Sequence, residues 1–150
     1  MTPFVTAGTG FLLAVLWFDL MFDVQAARSR DPELPESVLA STAAYYRRVT
    51  TAARPMNRLV ALVMAGTIAV IIVQLVREDA PRWAASVSLA LTAGAISLAA
   101  LHTVPNAIRL GARSDTLAGQ SRLARSILRD HLTCITAVAA ALFVQLTFAR

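Results

Sequence analysis

The chain has 150 residues, enough for one domain, and 57% of them are hydrophobic. Its mean hydropathy of +0.61 excludes an ordinary soluble domain and makes lipid the expected solvent. The net charge of +5 comes from arginines beside apolar runs and not from a separate basic domain, which argues against nucleic acid and favours anionic lipid headgroups as the partner.

Four apolar runs predict transmembrane helices at about residues 4–23, 57–76, 83–105 and 130–148. The stretch 59–76 alone rises about 27 Å as a helix and suits a hydrocarbon core of roughly 30 Å. The first run begins uncharged and ends in Asp19 and Asp23, unlike a signal peptide, so we expect it to be retained. Because lipid admits only helices or closed barrels, we predict an all-α membrane domain, an up-and-down bundle of four transmembrane helices.

The connection between the first two spans has a structure of its own. After Pro35, apolar and small residues recur at helical spacing, which predicts an amphipathic helix over about 36–53. Its two tyrosines, Tyr45 and Tyr46, and the pair Arg47-Arg48 suit the headgroup boundary. We therefore expect this helix to lie along the membrane surface or to pack under the bundle.

Arginine placement predicts the orientation. The first and third connections and their flanks hold most of the arginines, namely Arg28, Arg30, Arg47, Arg48, Arg54, Arg58, Arg109, Arg113, Arg122, Arg125 and Arg129. Only Arg77, Arg82 and Arg150 fall on the other side. The positive-inside rule then places both long connections in the cytoplasm and both termini outside. The absence of lysine is typical of a GC-rich bacterial genome, so we expect a bacterial inner membrane.

Polar side chains gather at the end of each span that this orientation places in the cytoplasmic leaflet. They are Asp19, Asp23, Arg58, His102, Asn106, Arg109, Arg129, Asp130 and His131. Intramembrane charges are costly and usually face the interior, so each needs a partner or a function. Arg58 and His102 share their helix faces with small residues, and we expect both to point inward. His131 lies over Ile127, Ile135, Val138 and Leu142, a face that predicts exposure to lipid.

His102, Asn106 and Arg109 follow at spacings of four and three, which places them on one helix face. Pro105 between them frees a backbone carbonyl one turn earlier, and we expect Asn106 to satisfy that backbone. No dinucleotide loop, phosphate-binding loop, Gly-x-Ser-x-Gly, Cys-x-x-Cys or His-Glu-x-x-His accompanies them. The lone Cys134, which excludes an intrachain disulfide, is expected to behave as a small hydrophobe.

Asp19, Asp23 and His102 leave two interpretations open. In the first, the aspartates form ion pairs with Arg58 or Arg109 and hold span one against spans two and three. In the second, the two carboxylates and the imidazole bind iron, manganese or zinc, since these metals suit such oxygen and nitrogen ligands. His102 by itself suits a hydrogen-bonded structural histidine better than a ligand.

Two short motifs in the C-terminal third are those of a known group. Val104-Pro105-Asn106 closes the third span, and Arg125-Ser126-Ile127-Leu128-Arg129-Asp130-His131-Leu132 opens the fourth after an arginine-rich connection. This pattern resembles the small four-helix membrane proteins grouped with anthrone oxygenases. The resemblance implies oxidation or binding of an apolar molecule, for example an aromatic one, at the inner membrane boundary. The residues of this chain that would correspond to functional residues of the group are Asn106, Arg129 and His131.

Three classes of function follow. An enzyme or ligand-binding protein of oxidoreductase or oxygenase-like type predicts that Asp19, Asp23, His102, Asn106 and Arg109 line one pocket. A structural or accessory subunit of a larger membrane complex predicts that the polar residues pair among themselves while apolar faces meet partner helices. A transporter or channel formed by a homodimer requires a polar path to the outside, and it could be lined only by Thr6, Thr9, Gln74 and Gln145.

Overall fold

Helices account for all the regular structure in the computed structural model, which describes residues 1–29 and 31–149 and only the backbone of Arg54. Arg30 and Arg150, two of the arginines used to predict the orientation, lie outside the described residues. Six helices follow in chain order: α1 Thr2–Asp23, α2 Glu36–Arg47, α3 Arg54–Arg77, α4 Arg82–Leu98, α5 Val104–Ala112 and α6 Leu117–Phe148. No strand is formed in the described part of the chain, as the composition predicts.

Four helical segments are long and apolar enough to cross a membrane: Thr2–Ala27, Pro55–Arg77, Arg82–Ala112 and Leu117–Phe148. Each predicted span falls within one of them. The first segment adds a short 3-10 turn to α1, and the third joins α4 to α5. With 32 residues, α6 is about 48 Å long and exceeds a hydrocarbon core of roughly 30 Å. Much of the predicted third connection is therefore the beginning of α6.

The four long segments contact one another in a ring. α1 packs against α3 and α6, and α4 packs against the same two helices. Between them lies an apolar core that includes Leu12, Ala95, Cys134 and Val138. The free thiol of Cys134 is buried and donates to the carbonyl of Ala95 at 3.5 Å, so it fills core space as a small hydrophobe does.

A second apolar core lies where α2 packs against α5 and α6. Its fully buried members include Leu39, Leu110 and Ile127. α5 approaches α2 closely because Gly111 has no side chain: a Cβ there would lie 2.8 Å from the backbone nitrogen of Arg47. The core fixes α2 beside the end of α1 that carries Asp19 and Asp23.

A π turn, Ala99–Thr103, separates α4 from α5. Pro105 follows it and has no N–H to donate, so the regular hydrogen-bond ladder cannot continue across this point. In the wider turn, the neighbouring residues His102 and Thr103 both reach Asp130 on α6. The irregular backbone thus sets the direction of His102.

Buried amides join the four long segments at the end far from Asp19. Gln74 and Gln145, both 0% exposed, donate to each other at 3.2 and 3.1 Å. Gln145 also donates to Ser88, and Gln74 to Thr2. The two amides that were candidates to line a channel are therefore bonded to each other inside the core.

The two tryptophans of the chain lie near opposite ends of the long helices. Trp17 is 63% exposed and lies near the end of α1 that carries Asp19 and Asp23. Trp83 is 52% exposed in the first turn of α4 and packs edge-on against Phe148 of α6. Both indoles lie on outer surfaces, where tryptophan suits the membrane interface.

Candidate functional site

Asp23, in the last turn of α1, is the centre of a buried hydrogen-bonded cluster. Its side chain is 1% exposed and has a partner on each carboxylate oxygen. The hydroxyl of Tyr46 on α2 donates to Oδ1 at 2.5 Å. Nδ1 of His131 on α6 lies 2.5 Å from Oδ2 and donates to it. One carboxylate therefore holds three helices together.

Asp19, one turn earlier on α1, extends this cluster. Its Oδ1 accepts a hydrogen bond from the hydroxyl of Tyr45 at 2.5 Å, and its Oδ2 lies 3.9 Å from Nε2 of His131. The imidazole is thus placed between two carboxylates. We call Asp19, Asp23, Tyr45, Tyr46 and His131 the buried acid cluster.

Two predictions about these residues are wrong. Neither aspartate forms an ion pair with an arginine of the described chain: Arg58 is exposed, and Arg109 pairs with Asp115 at 2.7 Å. Arg58 therefore does not point inward either. His131 is 5% exposed and faces the interior, not lipid. Apolar residues on its face, such as Ile127, belong to the buried core. The apolar pattern around His131 therefore marked a core face and not a lipid-facing one.

The two phenols of α2, outside the spans, are held in their neutral form. Burial raises the pKa of Tyr45, and its hydrogen bond to Asp19 raises it further. Burial also raises the pKa of Tyr46, and the negative charge of Asp23 adds to the effect. Both hydroxyls consequently remain hydrogen-bond donors to the aspartates far above neutral pH.

This neutral state can be tested by alkaline titration, because Tyr45 and Tyr46 are the only tyrosines in the chain. We expect no tyrosinate absorbance from the folded protein near pH 10, where an unfolded chain ionises about half of its phenols. Because the folded state keeps protons that the unfolded state releases, the free energy of unfolding should fall as the pH rises above about 10. Ultraviolet absorbance and circular dichroism measured on one sample check both expectations.

Tyrosinate that forms reversibly near pH 10 while the helix content stays constant would contradict this account. The variant Tyr45→Phe serves as the control. It removes one of the two chromophores, so the tyrosinate signal after unfolding should fall to about half of the native value.

A second pair lies where α5 begins. Nδ1 of His102 is 2.7 Å from Oδ2 of the buried Asp130, which also accepts from the hydroxyl of Thr103 at 3.2 Å. The other ring nitrogen of His102, Nε2, lies 3.4 Å from the side-chain nitrogen of Asn106. The amide of Asn106 therefore meets His102, whereas the sequence predicted a role in satisfying the backbone. About half of the His102 side chain is exposed (52%).

The predicted metal site of Asp19, Asp23 and His102 is not formed. The imidazole beside the two aspartates is that of His131, while His102 is hydrogen-bonded to Asp130. Within residues 1–29 and 31–149, no three His, Cys, Asp or Glu side chains are grouped so that they could hold a metal ion. The hypothesis of an iron, manganese or zinc centre on these three ligands is therefore wrong.

A groove of about 810 Å³ opens beside His102, between the end of α1, α5 and the first half of α6. Apolar atoms come from Ala26, Leu123 and Leu128. Its polar and charged lining residues are Ser29, His102, Asn106, Arg109, Asp115, Arg122, Arg125, Ser126 and Arg129. Since four of these are arginines and only one is an aspartate, we call it the arginine groove.

Apart from the exposed Arg58, the predicted site residues are thus divided between two places. His102, Asn106, Arg109 and Arg129 line the arginine groove, with Asp130 bound to His102. Asp19, Asp23 and His131 lie in the buried acid cluster, so the single pocket predicted for Asp19, Asp23, His102, Asn106 and Arg109 is not formed.

Sequence reasoning did not assign several side chains to these two places. They are Tyr45, Tyr46, Thr103, Asp115, Arg122 and Arg125. One signal was available: Arg122, Arg125 and Arg129 are spaced by three and four residues, which places them on one helix face.

Comparisons with protein-family models, with curated proteins and with solved structures find no match for this chain. The groove and the two ionisable clusters therefore supply the grounds for a function. Of these, only the groove combines accessible volume, an accessible imidazole and uncompensated charge. The buried acid cluster has no comparable opening, since Asp23 and His131 are almost completely enclosed.

Proposed function

We propose that the chain binds a small apolar molecule carrying an acidic hydroxyl in the arginine groove, and that His102 accepts the hydroxyl proton. The observation that supports this most directly is the His102–Asp130 pair at 2.7 Å on the edge of the groove. A carboxylate on one ring nitrogen fixes the orientation and the tautomer of an imidazole. The other nitrogen, Nε2, is then available as a base.

The surroundings of His102 suit the anion that this proton transfer would create. The amide of Asn106 stands next to Nε2, and the arginines supply positive charge in a partly enclosed space. Leu123 and Leu128 offer apolar surface to the body of the ligand. The resemblance to the anthrone-oxygenase-like group supports the same ligand class, an apolar aromatic molecule.

We infer further that the arginine groove faces the cytoplasm of a bacterium, with both termini outside. The excess of arginine in the connections at this end supports that orientation. The contacts among Thr2, Gln74, Ser88 and Gln145 at the other end support an up-and-down bundle. In this arrangement α2 lies under the bundle at the inner membrane surface. Labelling of engineered cysteines from each side of the membrane tests the orientation.

The proposed proton transfer can be tested with 2-naphthol, an apolar aromatic whose ionised form has its own absorption band. We expect native protein in nanodiscs to bind 2-naphthol and to produce naphtholate absorbance at neutral pH, beyond that of empty nanodiscs. His102→Gln removes the base and should reduce the bound naphtholate roughly tenfold or more. Asp130→Asn should reduce it as well, because His102 loses the carboxylate that orients it.

Asp79→Asn is the matched control for the carboxylate change, since Asp79 is exposed in the turn after α3. It should leave the naphtholate absorbance unchanged. Undiminished naphtholate in folded His102→Gln protein, or no binding of 2-naphthol to native protein, would refute the proposal.

The alternative function, an accessory subunit of a larger membrane complex, is supported by a different observation. The buried acid cluster pairs within the chain, as a purely structural role requires. The size of the particle after mild solubilisation distinguishes the two functions. A lone monomer that still binds 2-naphthol would exclude the accessory role.

A further inference from the structure

Three arginines lie on one face of α6, and two of them have no partner among the described residues. Arg125 donates to backbone carbonyls of Ser29, Asp31 and Pro32 and so holds the connection after α1. Arg122 and Arg129, three residues before it and four after it, are exposed, and their guanidinium groups form no hydrogen bond or ion pair with residues 1–29 or 31–149. Their charges remain available to a ligand.

No acidic group of the groove offsets this charge. Asp115 is the only acidic residue that lines the groove, and its Oδ1 accepts from Arg109 at 2.7 Å. Asp130, next to Arg129 in sequence, is bonded to His102 and Thr103. The groove therefore presents net positive charge at Arg122 and Arg129, and an anion is its complementary ligand.

The depth of these arginines indicates the source of the anion. The apolar part of α6, residues 132–148, rises about 25 Å and takes up most of a hydrocarbon core. Arg129 lies one turn before this part, at the level of lipid phosphates. Arg122 lies about 10 Å further from the core, on the water side of the headgroup layer, and its long side chain can reach back to the outer atoms of a headgroup.

We infer that Arg129 and Arg122 form a binding site for the phosphate and headgroup of an anionic phospholipid from the adjacent leaflet. A guanidinium can donate two parallel hydrogen bonds to a phosphate, which makes arginine well suited to such a site. The site shares the groove and its positive charge with the proposed ligand of His102, but it does not use His102.

Native mass spectrometry of the detergent-solubilised protein with added phosphatidylglycerol or phosphatidylcholine tests this site. We expect phosphatidylglycerol to bind and phosphatidylcholine to bind at least roughly tenfold more weakly. In the double variant Arg122→Gln/Arg129→Gln, phosphatidylglycerol affinity should fall roughly tenfold or more. The matched control is Arg77→Gln/Arg82→Gln, which removes two exposed arginines at the opposite end and should bind as native protein does.

Two outcomes overturn the inference. An equal loss in both double variants would show that only the overall charge matters. Displacement of phosphatidylglycerol by soluble glycerol phosphate at similar concentration would assign the site to a free anion. Circular dichroism verifies that the Arg122→Gln/Arg129→Gln protein is folded. His102→Gln should bind phosphatidylglycerol normally, so a failure of the proposed proton transfer leaves this test intact.

Discussion

Replacement of Asp23 by alanine is expected to lower the free energy of unfolding by about 3–5 kcal/mol. The carboxylate is 1% exposed and is the hydrogen-bond partner of Tyr46 and His131. Its removal leaves a phenol and an imidazole without their partner in a site that water does not reach. Unfolding in mixed detergent micelles, followed by circular dichroism, measures the loss.

Two further variants make this measurement specific. Asp79→Ala removes an exposed carboxylate and should change the free energy of unfolding by less than about 0.5 kcal/mol. Tyr46→Phe removes one donor but leaves Asp23 bonded to His131, so we expect an intermediate loss of about 1–3 kcal/mol. If Asp23→Ala is no less stable than Asp79→Ala, the buried acid cluster does not hold α1, α2 and α6 together.

The second large effect is expected from Gly111→Ala. The added Cβ would lie 2.8 Å from the backbone nitrogen of Arg47 and 3.1 Å from its Cα. These are main-chain atoms of α2 that cannot rotate aside, so α2 must move away from α5. Overpacking of this kind costs about 1–3 kcal/mol. The same movement displaces Tyr46, because its carbonyl carbon is 3.3 Å from the added Cβ.

Gly66→Ala is the matched control, because a Cβ at Gly66 meets no atom within 4 Å. Alanine favours a helix over glycine by up to about 1 kcal/mol, so this control should be neutral or slightly stabilising. The alkaline titration gives a second measurement: Gly111→Ala should allow the phenol of Tyr46 to ionise at lower pH than in native protein. Equal stability of the two variants would mean that α5 and α2 are not in close contact at Gly111.

The four long helices could be predicted from the sequence because length and hydropathy are sufficient to identify them. The sequence did not allow a prediction of which face of each helix points to the core and which points to lipid. In a soluble protein an apolar face is a core face, but in a membrane both the core and the lipid-facing surface are apolar. His131 was therefore predicted to face lipid on the strength of neighbours such as Ile127 and Val138, which are 0% and 2% exposed.

Arg58 shows the opposite error. Ala65 and Ala69 share its face, and small residues suggested a close helix neighbour, yet both alanines are exposed. A small residue allows a second helix to pack closely, but it does not show that a second helix is present on that face.

The hydrogen-bond partners within the site depend on how the helices pack, and the spacing of residues in the sequence does not show this packing. Tyr46 reaches Asp23 only because α2 lies close to α5 at Gly111. His102 reaches Asp130 from a π turn that precedes Pro105. Proline predicts a break in the hydrogen-bond ladder but not which form the break takes.

The opposite placement of the two tryptophans has a practical consequence for spectroscopy. Trp17 and Trp83 are both exposed at the outer surface, near opposite ends of the long helices. Bromine atoms attached at different depths of the acyl chains quench indole emission on contact. Such lipids added to only one leaflet would dim one tryptophan and spare the other. The emission of the unlabelled chain could therefore report its insertion and direction in a vesicle.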